Sequence, residues 1–292
     1  MKCGSCGALI AREGELVQRD TFRQALKRAR QSMHAGAGSE ILCRGEHYAL
    51  LQRLGSGEVS EVHLARRLGP MPFLATLKLS TTPLAAARYA REAEVLRELQ
   101  SASDDGTAAY AAQRLPEVIA QGPVEDGSGR LAIVLRHPTG FWGSLAAVGS
   151  RFPQGIDPRH AVWIWRRMLD LLYFIHAQGW AHGGISPEHV LVHPQDHGVW
   201  IVGWADAQKA ASTKLKAADL MRSARVVQVL LCGAKSPDAM PAQVPPPLAA
   251  LITRAAHDES FCLSEGALGL DRLLLSTARE AFGPPVFVPL VL

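Results

Sequence analysis

The stretch "HGGISPEHVLV", residues His182 to Val192, decides how this chain is interpreted. Two glycines and a serine stand before Pro187, and an apolar run follows from Val190 to Val192. A second apolar run, "GVWIVGW", occupies Gly198 to Trp204, and turn-forming residues separate the two runs. The pattern predicts a polar loop that leads into two short strands around a turn.

Composition limits the classes of function that the chain can have. The 292 residues are 48% hydrophobic, which is enough for a sizeable core in one two-lobed domain. A net charge of +4, from 31 basic and 27 acidic residues, does not demand a nucleic-acid or membrane partner. No apolar run has membrane-spanning length and the N-terminus lacks a hydrophobic signal segment, so we expect a cytoplasmic protein without a membrane partner.

The chain divides into three predicted regions. Residues 1–45 form an extension with a Cys-x-x-Cys knuckle and a basic helix, followed by a strand-rich region, 46–138, and a helical region, 139–292. The strand-rich region contains one predicted helix, from about Pro83 to Gln100. In the helical region we predict a long helix from Asp157 to Gly179, a helix closed by Gly233, and final helices from about Leu248 and Gly266. The fold class is α+β.

Three further motifs precede the opening stretch. "LGSGEVSEV", Leu54 to Val62, places glycines between two predicted strands, and "ATLK" ends a later strand at Lys78. "REAEVLREL" follows on the predicted helix, with Glu92 four residues before Leu96. A short Gly-x-Gly is usually only a hairpin, and an isolated lysine or glutamate is usually solvated. Their occurrence in this order makes coincidence improbable.

With these motifs the chain resembles the eukaryotic-like Ser/Thr protein kinase family, over roughly residues 48–282. The resemblance implies a two-lobed protein-kinase-like fold, with a small antiparallel β lobe carrying one helix and a larger helical lobe, plus the N-terminal extension. It implies a nucleotide site in which Lys78, paired with Glu92, holds phosphates. Gly55, Gly57 and Val62 would cover the nucleotide.

The resemblance also implies architectural roles. Leu96, His182 and Trp204 would stack between the lobes, and Asp219 would hold the loop after His182 by hydrogen bonds from its backbone. The segment from Ala205 to Asp219 leaves no room for a usual activation segment, and no Ala-Pro-Glu triplet occurs. A docking surface for protein substrates is therefore not expected.

The chemical positions of the family are replaced. Gly184 stands at the catalytic aspartate, Ser186 at the lysine, His189 at the metal-binding asparagine and Gly203 at the aspartate of Asp-Phe-Gly. Because phosphoryl transfer in this fold depends on positioning and electrostatics, these losses favour a pseudokinase. We therefore expect a scaffold or allosteric regulator for an unidentified protein partner, with weak or no ATP binding that is independent of magnesium.

A second hypothesis is an active enzyme whose metal ligands have moved. Asp206 lies three residues beyond the expected aspartate, and Glu188 and His189 stand beside or at the lost asparagine position. A bulge that brings one of them to a metal would permit phosphoryl or nucleotidyl transfer. A surface carboxylate or a turn histidine is the simpler interpretation of each residue.

A third hypothesis concerns zinc. Cys3 and Cys6 form a glycine-flanked Cys-x-x-Cys knuckle. Cys43 with His47 would complete a tetrahedral site if the helix that lies between the knuckle and Cys43 folds back. Two copies of the chain sharing one metal, or free thiols in a frayed terminus, are the alternatives.

The basic helix next to the knuckle suggests a binding module of a different class. Arg23, Lys27 and Arg30 share one helical face that would contact nucleic acid or an acidic partner. A solvated helix that packs its apolar residues on the lobe is the favoured alternative, with nucleic acid the less expected partner.

Overall fold

The computed structural model describes residues 39–102, 114–233 and 240–292. The predictions made for Cys3, Cys6 and the basic residues Arg23, Lys27 and Arg30 fall outside these ranges. Within the described ranges, no helix is long and apolar enough to cross a membrane.

The small lobe is built on an antiparallel sheet with the strand order β1-β2-β3-β4-β6-β5. In chain order its six strands are β1 (Glu40–Cys43), β2 (Glu46–Ser56), β3 (Ser60–Arg67), β4 (Leu74–Ser80), β5 (Val118–Pro123) and β6 (Leu131–Arg136). Its two edges meet, because Cys43 forms a bridge with Val124 and the Glu125 amide donates to the Leu42 carbonyl over 2.9 Å. The closed sheet leaves neither edge strand fully open to another chain.

Alternation along the strands fills the interior of the closed sheet. Ile41, Cys43, Tyr48, Leu77 and Val134 belong to one buried cluster inside it. Because side chains in a strand alternate between faces, this cluster takes every second residue of β1 and β4. Strand β1 lies within the predicted extension of residues 1–45, and it pairs with β2 as part of this sheet.

One helix, α1 (Ala85–Ser101), packs on the outer face of this sheet. Val95, Leu96 and Leu99 of this helix are fully buried, and they share a hydrophobic core with the helical lobe rather than with the sheet interior. The helix lies where the sequence predicted it.

The large lobe combines helices with short strands. In chain order the elements are β7 (Gly143–Ser144), α2 (Leu145–Arg151), α3 (Pro158–Ala177), β8 (Trp180–Ala181), β9 (Val190–His193), β10 (Gly198–Ile201), β11 (Gln208–Lys209), α4 (Thr213–Cys232), α5 (Pro246–His257) and α6 (Glu259–Phe282). Two 3-10 turns, Pro187–His189 and Trp204–Asp206, lie beside β9 and β10.

Local signals explain where these helices begin and end. The Asp157 carboxylate caps α3 by accepting from the Arg159 amide, and Gly233 ends α4 with φ of 62°, both at the predicted positions. The last helix, α6, contains a break at Gly266, whose φ of 62° and ψ of −175° are not helical. A helical segment continues from Gly266, as predicted, and further helical turns precede it from Glu259.

Candidate functional site

The cleft between the lobes contains an ion pair between β4 and α1. The Lys78 Nζ atom lies 2.7 Å from both carboxylate oxygens of Glu92, and the two side chains are 15% and 2% exposed. Val62 is the cross-strand neighbour of Lys78, so their side chains share the cleft face of the sheet. Removing one partner would leave a buried charge without compensation, so the pair is costly to break.

The glycine loop between β2 and β3 is folded down onto the sheet. Gly55 pairs with Val62, and the Gly57 amide donates to the Ser60 carbonyl over 2.8 Å. At the tip, the Val59 carbonyl accepts from the Thr81 amide over 2.9 Å and the Val59 side chain is 7% exposed. The tip is therefore attached to the end of β4.

A polar contact in the cleft was missed by sequence reasoning. The hydroxyl of Thr76 lies 2.9 Å from Nδ1 of His137, just beyond β6. Thr76 stands two residues before Lys78 and so faces the cleft, which the alternation of a strand would have predicted. Burial lowers the pKa of His137 below its ordinary value.

Asp219 of α4 anchors the loop at His182 and Gly183. Its fully buried carboxylate accepts from the His182 amide over 2.6 Å and from the Gly183 amide over 2.9 Å. His176 Nε2 lies 3.3 Å away on the same carboxylate. Burial opposes ionisation of Asp219, but the hydrogen bonds from His176 and Gly183 hold its pKa below the ordinary value.

His182 connects this loop to the strand that follows it. Its Nδ1 accepts from the Gly184 amide and its Nε2 lies against the Val202 carbonyl, both over 3.2 Å. The ring contacts Trp204 edge-on with the centroids 4.6 Å apart, and Leu96 is buried in the same core as Trp204. Burial lowers the pKa of His182 to about 4, so the ring is neutral, as the acceptor role of Nδ1 requires.

Of the four replaced positions, the other three all lie against His189. Its Nδ1 lies 2.6 Å from the Gly184 carbonyl, and its backbone amide donates to the Ser186 carbonyl over 3.1 Å. A Cβ atom added to Gly203 would lie 2.8 Å from both Cδ2 and Nε2 of His189. No side chain fits at position 203 unless the imidazole moves, so the ring occupies the space that a carboxylate there would need.

Only two of the three proposed substitute ligands approach one place, since Nδ1 of His189 and Oδ2 of Asp206 would lie 3.8 and 3.9 Å from a Cβ on Gly184. Asp206 pairs with Arg88 of α1, with 2.9 Å between Oδ2 and Nη2. Glu188 is exposed. Across the three described ranges, no group of three or more histidine, cysteine, aspartate or glutamate side chains could hold a metal ion.

The predicted zinc ligands Cys43 and His47 do not come together. Cys43 is fully buried inside the closed sheet, and burial raises the pKa of its thiol. His47 is exposed on the outer face, where its Nδ1 lies 3.6 Å from Glu40. The inclusion of Cys43 and His47 in one metal site is therefore wrong, because neighbouring positions of the sheet point to opposite faces.

Comparisons with known proteins bear on the fold. No protein-family model matches the chain, and no curated protein matches it in sequence. Its structure is similar to the crystal structure of the Mycobacterium tuberculosis PknI kinase domain, in a mutant form, with a TM-score of 0.52 and 20% identity. The match covers 85% of this chain and 98% of that domain. The chain therefore has the two-lobed protein-kinase fold that its sequence predicts.

Proposed function

We propose that the chain is a pseudokinase, a catalytically inactive scaffold or allosteric regulator in a cytoplasmic protein assembly. The observation that carries this proposal is the position of the His189 ring, 2.8 Å from the place of a Cβ on Gly203. The position at which the family resemblance expects a metal-binding carboxylate is a glycine, and the His189 ring must move before a side chain fits there.

The rate contributions of a general base and of bridging metal ions are large enough that lacking both supports inactivity. A positioned general base contributes a factor of roughly 10² to 10⁴ in rate, and Gly184 offers no such group. Bridging metal ions stabilise the charge of the transition state by roughly several kcal/mol. Together these losses remove most of what a phosphoryl-transfer site supplies.

Weak nucleotide binding is compatible with what remains. Lys78 presents one ammonium group in the cleft, held by Glu92, whereas the Gly57 amide of the glycine loop is already bonded to the Ser60 carbonyl. Without a metal carboxylate, this binding would not depend on magnesium. The Lys78 ammonium would carry most of the attraction for phosphate.

The test measures ATP binding and phosphate transfer on the same protein. We expect a small increase of the melting temperature with ATP, equal with and without magnesium, and no transfer from labelled ATP to general kinase substrates. The double variant Lys78→Met with Glu92→Gln should lose the increase, because it removes the ammonium without leaving an unpaired buried charge. A magnesium-dependent increase together with transfer would overturn the proposal.

A relocated-carboxylate enzyme is the second candidate, and one observation favours it. The Asp206 carboxylate would lie 3.9 Å from a Cβ on Gly184, so it reaches the region of the missing catalytic aspartate. Its ion pair with Arg88 opposes a role as metal ligand. Transfer that disappears in Asp206→Asn but persists in Asp196→Asn, an exposed matched control, would establish this enzyme instead.

A further inference from the structure

A groove lies on the large lobe, away from the cleft, where α3, α4 and α6 meet. Its volume is about 270 Å³, and it opens to solvent. The residues that line it include Tyr173, His176, Lys216, Leu220, Cys262 and Leu263. The interruption of α6 at Gly266 borders the groove, and a side chain there would meet open space.

The floor and rim of the groove are mostly apolar. Leu220 and Cys262 are buried beneath it, while Tyr173 and Leu263 on its lining are 49% and 45% exposed. Two large apolar side chains held half-exposed around a concave surface are a feature of protein interaction sites. The groove therefore suits a bulky apolar side chain from another molecule.

The charge around the groove is positive. Lys216 lines it and donates from Nζ to the His176 carbonyl over 2.8 Å, which leaves further N–H groups of the ammonium for a ligand. Thr213, the first residue of α4, lines the groove near Lys216. The first turn of α4 has no acidic residue. The amino end of this helix therefore adds partial positive charge.

No carboxylate among the described lining residues offsets this charge. Asp219, on the same helix, is fully buried and bonded to the loop at 182–183. Glu265 is directed along α6, with Oε2 only 2.6 Å from the place of a Cβ on Gly269, and it does not line the groove. An acidic group would be attracted to this end and a basic group repelled.

We propose that this groove docks a segment of a partner protein that places a large apolar side chain beside an aspartate or glutamate. The apolar side chain would fill the space between Leu263 and Leu220, and the carboxylate would meet Lys216 and the start of α4. This proposal rests on the scaffold function proposed above and names the chemistry of the partner. It also places docking on a surface separate from the nucleotide cleft.

The test selects partners without assuming their identity. A display library of random dodecapeptides is selected on the wild-type chain, and the affinities of the enriched peptides are measured as synthetic peptides. We expect enriched peptides to pair a large apolar residue with an acidic one. Their binding should weaken by about tenfold or more in Leu263→Arg, since a central apolar contact carries much of such an interface.

Matched controls come from the same two helices. Leu268→Arg changes a leucine of α6 that is 43% exposed and does not line the groove, so it should leave binding unchanged. Lys216→Met should weaken binding and reduce its salt dependence, whereas Lys214→Met, on an exposed residue outside the lining, should do neither. Melting temperatures check that each variant is folded.

Three outcomes would overturn the docking proposal: enriched peptides that are basic, peptides that bind Leu263→Arg as well as the wild type, or no enrichment at all. Binding of anionic lipid vesicles that is lost in Leu263→Arg would assign the groove to lipid and also reject the proposal. The double variant of Lys78 and Glu92 should bind the peptides normally. A failure of peptide binding is therefore separate from a failure of the pseudokinase proposal, which the ATP measurements test.

Discussion

A single buried carboxylate, that of Asp219, fastens the loop at His182 and Gly183 to helix α4. Replacing Asp219 by alanine leaves these two amides without an acceptor in a buried place. We expect Asp219→Ala to lower the free energy of unfolding by roughly 1 to 3 kcal/mol, which is the usual cost of unsatisfied buried donors. Urea denaturation of the variant and the wild type measures this difference.

The conservative variant separates the hydrogen bonds from the charge. Asp219→Asn keeps a side chain of similar shape with one acceptor oxygen. Its loss of stability should therefore be smaller than that of Asp219→Ala. Equal stability of wild type and Asp219→Ala would contradict the role of the carboxylate as an anchor.

At the residue scale, the contact that the family resemblance implied between Lys78 and Glu92 is present. Their side chains lie 2.7 Å apart. Sequence reasoning failed for Cys43 and His47, because their spacing suggested a shared metal while the register of β1 and β2 sends them to opposite faces. The contact of His189 with Gly203 depends on loop conformation, which has no periodic signal in the sequence.

At the scale of elements, helix α1 is held to the segment after Trp204. Arg91 donates to the Ala207 carbonyl over 3.3 and 3.1 Å and lies over the Trp180 ring at 4.9 Å. Arg88 pairs with Asp206, and Glu98 pairs with Lys209 over 2.7 Å. Exposed ion pairs contribute only about 0 to 1 kcal/mol each, but these contacts all restrain one helix.

We predict that Arg91→Ala loosens α1 without unfolding the chain. The variant loses the contact with Ala207 and with the Trp180 ring, so the amides of α1 should exchange with deuterium faster than in the wild type. Hydrogen exchange followed by mass spectrometry measures this change. Arg97→Ala, on an exposed arginine of the same helix, is the control and should not alter the exchange. Unchanged exchange in Arg91→Ala would show that the helix does not depend on these contacts.

Element boundaries show where sequence patterns were sufficient. The N-cap at Asp157 and the glycine at Gly233 are local signals, and both helix ends lie where they predicted. Strand β1 was missed because its four residues are too short to show a period, and its place depends on pairing with β2. At Gly266 the local signal predicted a helix start, and a helical segment does continue from there, but the helical turns from Glu259 lie before the predicted start.

At the scale of the whole molecule, the boundaries of the two hydrophobic cores do not coincide with the boundary between the two lobes. One core fills the closed sheet. The other joins Val59 and α1 of the small lobe to α3 and α4 of the large lobe. Because the second core crosses the cleft, the lobes share buried surface and we expect them to unfold together.

Buried and half-buried histidines make this shared stability depend on pH. Burial lowers the pKa values of His137, His160 and His182, and that of His182 falls to about 4. Below about pH 6.5 the unfolded chain therefore binds more protons than the native chain, so stability should fall as the pH falls. Each such histidine contributes a slope of at most about 1.4 kcal/mol per pH unit.

Urea denaturation between about pH 7 and about pH 5 measures this slope. His182→Asn should lower the stability at neutral pH and also reduce the slope, because it removes one of the titrating groups. His47→Asn, on the exposed outer face of β2, is the control for a histidine outside the core. A stability that rises as the pH falls through this range would contradict the assignment of neutral buried rings.

The packing of His189 against Gly203 also limits how this chain could change over generations. The Cβ of an aspartate at position 203 would lie 2.8 Å from the imidazole. That substitution alone would therefore create a steric clash with His189. Replacing His189 first would open space without adding any carboxylate. Neither single step gives an advantage by itself, and a route from this sequence to a magnesium site would need both changes in the same lineage. Under the pseudokinase function proposed above, metal chemistry would thus be hard to regain by gradual selection.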